Sequence, residues 1–112
     1  MNQKNIKSKK PKLKIDASEL VGKLEDLLNE GMSMQDQSEI DERAYENWFD
    51  KVMNILRMSF VNENNEFANR FLPPPVFLES AQIDLNSRIK SDLANEVSQL
   101  YIIKGDIATR YL

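Results

Sequence analysis

The sequence predicts an all-α protein: a compact bundle of three main helices plus a short one, behind a flexible basic N-terminal tail. Three observations carry that expectation. Apolar residues recur at spacings of three and four from about residue 20 to the C-terminus, the signature of helices with one buried face. No stretch reads as convincing two-residue alternation, and no Asn-Gly or Asp-Gly hairpin turn occurs. The chain has 112 residues, 41% of them apolar, which suits one domain with one modest core.

The first fifteen residues hold six lysines and no acid, leaving nine of the fifteen basic side chains and all eighteen acidic ones for residues 16–112. The net charge of −3 therefore divides into a +6 tail and a −9 body. With only Ile6, Leu13 and Ile15 able to pack, the tail is expected to be disordered. It reads as a solvated arm, as a nucleic-acid arm using Lys4, Lys7, Lys9, Lys10, Lys12 and Lys14, or as a docking segment for an acidic surface.

The first helix is expected at 17–30. Leu20, Val21, Leu24, Leu27 and Leu28 form its stripe, Asp16 and Glu19 resemble a capping box, and Gly31 reads as the C′ glycine. Gly22, inside it, suggests a close approach by a neighbour. The second helix, at 38–61, follows a polar connection and carries Tyr45, Trp48, Phe49, Val52, Ile55, Leu56 and Phe60 on one face. A short helix at 64–71 presents Phe67 and Phe71. Pro73-Pro74-Pro75 then stops it and reads as a rigid spacer, or as a ligand for a proline-binding domain. The last helix, at 80–111, has Leu85, Ile89, Leu93, Val97, Leu100, Ile107 and Tyr111 on one stripe. That stripe keeps its phase across Gly105, so the helix is expected to be continuous.

The chain contains neither cysteine nor histidine. That excludes disulfides, zinc fingers, thiolate nucleophiles, imidazole metal ligands and the serine–histidine triad. Paired carboxylates remain, as Glu39/Glu42 and Glu63/Glu66, and all-α magnesium-dependent hydrolases use such pairs on facing helices. Here the second pair falls in an Asn-rich loop, so a solvated surface is the simpler reading. The expectation is no enzymatic activity, no cofactor and no metal. No apolar run approaches the ~20 residues of a membrane span, and no secretory signal is recognisable, so a cytoplasmic location is expected. Tyr45, Trp48 and Phe49 are the candidate partner-binding residues, because aromatics dominate interface energetics. At helical spacing they also suit a core. The Met32, Met34, Met53 and Met58 cluster reads as adaptable filling.

The run Tyr45-Glu-Asn-Trp48-Phe-Asp-Lys-Val52-Met-Asn-Ile55-Leu56, then Phe60, Asn64-Asn-Glu66-Phe67 and Phe71, resembles a small helical accessory region of bacterial defence proteins. That region occurs in abortive-infection-type proteins and beside TIR-like effector domains. The order of elements is similar over residues 18–112, whereas the basic tail and the three prolines lie outside the pattern. The resemblance implies a scaffold or sensing role and transfers no catalytic residue. The expectation is a non-enzymatic protein of a bacterium or its mobile element (phage, plasmid or defence-associated), acting by binding a protein partner. The alternative is a DNA-associated accessory factor that uses the lysine tail. Leftover apolar surface would allow homo-oligomers, although one monomeric core could also use all the stripes.

Overall fold

The computed structural model describes residues 10–71 and 85–112. Those residues form three long helices and one short one: α1 (Ala17–Gln35), α2 (Glu42–Met58), α3 (Glu66–Phe71) and α4 (Leu85–Tyr111). No helix among them is long and apolar enough to cross a membrane. The three prolines, residues 80–84 of the expected last helix, and Lys4, Lys7 and Lys9 fall outside the described residues.

α1 packs most extensively along α4 and next along α2, while α3 sits against both α4 and α2. Leu20 and Leu24 of α1, Val52 and Leu56 of α2, and Leu93, Leu100, Ile103 and Ile107 of α4 are all fully buried in one core. Two aromatic groups lie within it. Phe71 stacks on Phe49 and meets Trp48 edge-on. Phe60 stacks on Phe67, and Tyr111 meets both rings edge-on.

α1 runs five residues past the expected end, because Gly31 is not a cap. It has no positive φ and is buried in the helix interior, where the indole of Trp48 occupies the space a side chain would need. Met34, on the same stripe, is buried as well. Gly22 makes no close approach, with nothing within 4 Å of where its Cβ would be. At the N-terminus Asp16 is the cap residue, but its carboxylate accepts from Ser18 Oγ and makes no capping bond to the backbone.

α2 starts later than expected because Ile40 is buried outside the helix. Asp41 then caps it by accepting from the Ala44 N–H at 3.2 Å. The helix ends at Met58, since Phe60 leaves helical geometry to pair with the N-terminal segment. α3 is started by Asn65, whose Oδ1 accepts from the Phe67 and Ala68 N–H groups while its Nδ2 donates to the carbonyls of Leu56 and Asn62. α4 continues through Gly105 without a break.

The expected disordered tail is shortened from its C-terminal side. Residues 10–15 lie against the bundle, with Leu13 and Phe60 forming an isolated antiparallel bridge. Lys14 N–H donates to the Ser59 carbonyl and Val61 N–H to the Lys12 carbonyl, each at 2.8 Å. Pro11, Leu13 and Ile15 are half-buried while Lys10, Lys12 and Lys14 are exposed. The run Lys-Pro-Lys-Leu-Lys-Ile does alternate with a period of two, yet it makes only this isolated bridge, and no strand forms among the described residues.

Candidate functional site

The three aromatic residues of α2 are positioned unequally. Trp48 is fully buried, with Nε1 donating to the Leu27 carbonyl at 2.7 Å, so it belongs to the core and presents nothing to a partner. Tyr45 and Phe49 are half-buried. Together with Glu46 and Asp50 they line a shallow depression of about 140 Å³. Tyr45 also reaches across to α4, where its hydroxyl donates to Glu96 Oε1 at 2.7 Å.

Glu96 is only 3% exposed. Burial pushes its carboxyl up to about 7, helped by the charge of Asp92 and opposed by the Tyr45 bond. Tyr45 is pushed well above the usual phenol range by burial first, then by Glu96, Asp92 and Glu46. A carboxyl so enclosed ties α2 to α4 and has no open path to a substrate. Glu66 is engaged by Arg110 at 2.8 Å and lies 3.9 Å from Arg70, and no group of three potential ligands occurs among the described residues. Glu42, Glu46 and Asp50 are all exposed along the outer side of α2.

The lysines divide into those with and those without a described position. Lys10, Lys12 and Lys14 share the outer rim of the N-terminal segment. Lys10 is partly engaged there, donating to the Arg110 carbonyl and lying 4.8 Å from the centre of the Tyr111 ring.

An apolar-centred surface lies between α1 and α4. Met32, Tyr101 and Ile102 are 46%, 63% and 53% exposed. With Leu28, Gln35, Val97 and Ser98 they line a groove of about 460 Å³. Every fully exposed position of α4 from Ser91 to Thr109 is uncharged, in a chain where 29% of residues carry charge. At the end of the groove Lys104 pairs with the half-exposed Glu25 at 2.8 Å. The cleft on the other side of α1 is different in character, being rimmed by Lys23, Asp26 and Lys51.

Met32, expected as adaptable filling, is instead exposed on this face, and Tyr101 and Ile102 were not singled out by the sequence. A signal existed. Leu100-Tyr-Ile-Ile103 is four consecutive apolar residues, which sweep 300° of a helix, so some must face outward. Leu100 and Ile103 turn in, while Tyr101 and Ile102 turn out. Comparison with protein-family models, with characterised proteins and with solved structures finds no match to this chain.

Proposed function

We propose that this chain is a non-enzymatic interaction protein that engages a protein partner through the α1–α4 face. The observation that carries the reading is the uncharged, apolar-centred surface of α4 around Tyr101 and Ile102. Protein interfaces are depleted of charge at their centre and enriched in tyrosine and methionine, and exposed apolar patches of this kind mark interaction sites. The resemblance of the Trp48-bearing helix to defence-protein accessory regions is what supports a bacterial or mobile-element setting for that partner. The test is a pull-down from the native host with the wild-type chain and Ile102→Asp. The reading expects a partner that the variant loses; partners retained equally by both would overturn it.

The exposed rim of Lys10, Lys12 and Lys14 favours a second reading, an accessory factor held on nucleic acid by phosphate contacts. Residues 10–15 are part of the fold, so substitution separates the two roles better than deletion. Lys12→Gln with Lys14→Gln should weaken DNA binding and reduce its salt dependence by about two phosphate contacts. An unchanged salt dependence removes this reading.

A further inference from the structure

We infer that the partner on the α1–α4 face is a second copy of this chain, docked about a two-fold axis with the two α4 helices crossing near Ser98. This rests on the proposed function, and it commits that face to one occupant.

The argument begins with charge. In a two-fold interface a patch meets itself, so any net charge on it meets the same charge. The described body carries an excess of acid, and most of its surfaces would repel a copy. The exposed residues of α4 between Ser91 and Thr109 are all uncharged; of the half-buried charges there, Lys104 is paired with Glu25 and Asp106 with Arg70, and Asp92 lies on the side of α4 facing Tyr45. A partner of strong opposite charge would find nothing on this face to recognise. A second neutral, apolar-centred surface finds a match.

Shape and size agree. Ala94, Ser98 and Gly105 keep the middle of the exposed strip low, while Tyr101 and Ile102 stand beside it as anchors and the groove beside Met32 receives their counterparts. The strip from Ser91 to Thr109 is about 27 Å long at 1.5 Å per residue, and two helices side by side are roughly 20 Å across. That gives on the order of 500 Å² of flat area per copy, near the lower bound of about 1,000 Å² total for a specific interface before side-chain relief is added. The dimer is accordingly expected to dissociate in the micromolar range.

Sedimentation equilibrium of the full chain tests this. The wild type should show a concentration-dependent monomer–dimer equilibrium. Ile102→Asp should raise the dissociation constant at least about 30-fold, since it buries a charge at a central anchor. Asn54→Asp, on the far side, should leave it unchanged. Ile102 is more than half exposed, so the variant should keep its circular dichroism; should it not, Ser98→Arg supplies the same test. The chain has no cysteine, so Ser98→Cys should oxidise to a covalent dimer much faster than Asn54→Cys. A wild type that stays monomeric at several hundred micromolar, or equal behaviour of the Ile102 and Asn54 variants, overturns the inference. A monomer that still loses a host protein on Ile102→Asp overturns the second copy while leaving the proposed function standing. A dimer abolished by Ile102→Asp with no other protein captured supports both.

Discussion

Replacing Gly31 by alanine is expected to destabilise this protein, although glycine-to-alanine changes inside helices ordinarily stabilise. A Cβ at Gly31 would lie 2.7 Å from Cζ2 of Trp48 and 3.0 Å from Cγ2 of Val97. Carbon atoms in contact rest about 3.5–4.0 Å apart, so the indole must retreat by roughly 1 Å. It is held in place on two sides, by the 2.7 Å bond from Nε1 to the Leu27 carbonyl and by the edge contact with Phe71. Alanine recovers about 1 kcal/mol of helix propensity, while overpacking costs about 1–3 kcal/mol. Drawing the indole N–H off its buried acceptor adds a further ~1–3 kcal/mol. The net expectation is a loss of about 1–5 kcal/mol. Urea unfolding followed by Trp48 emission measures it, with Gly22→Ala as the matched control, because nothing lies within 4 Å of that position. The control should gain about 0.5–1 kcal/mol. If Gly31→Ala proves as stabilising as Gly22→Ala, the α1–α2 approach is not set by the missing side chain.

Stability should fall as pH rises from about 4.5 to 7 and then level off. In that window the folded chain keeps a proton on Glu96 that the unfolded chain has released, and the loss is on the order of 3 kcal/mol. Glu96→Gln should flatten this slope and be the more stable form at pH 8; equal destabilisation at pH 5 and pH 8 would contradict the assignment. Asn65→Ala removes a cap and leaves buried backbone groups of two segments without it, so thermal unfolding should show a loss of about 2–4 kcal/mol. Asn65→Asp keeps the acceptor and loses the donors, so it should fall between the two. Leu13→Asp should cost about 1–2 kcal/mol, because it puts a charge against Phe60; an unchanged denaturation midpoint would show that residues 10–15 add nothing to stability.

The helices were legible because a 3.6-residue apolar period survives averaging over many residues. Leu20, Leu24, Trp48, Val52, Leu93 and Leu100 all lie where that period puts them. The boundaries were less legible, because they depend on contacts between elements. Gly31 looks like a helix end in isolation and becomes a packing site only once Trp48 is laid across it. Ile40 is apolar in a polar stretch, and nothing local says that it is buried outside a helix. Asn65 carries a readable signal, a capping residue just ahead of Phe67 and Phe71, within a stretch read only as an Asn-rich loop. The Lys-Pro-Lys-Leu-Lys-Ile run was hidden by its own composition, since six lysines in fifteen residues read as a solvated arm before their alternation is noticed. The exposed face of α4 is a subtler case. Its chief property is a lack of charge, which periodicity does not register.

The N-terminal segment is fixed by residues far along the chain: Tyr111 donates to the Pro11 carbonyl and Lys10 to the Arg110 carbonyl, each across 100 positions. Ribosomes deliver about 5–20 residues per second from the N-terminus. The apolar faces of α1 and α2 therefore emerge several seconds before α4 is made to cover them, and residues 10–15 can pair with Ser59 and Val61 before Arg110 and Tyr111 are made. Folding of this bundle accordingly waits until α4 has been made. Its nascent form passes through an interval in which Leu20, Leu24 and Trp48 are open to chaperones, so the yield of protein in a cell should respond to chaperone supply more than the stability of the finished fold suggests.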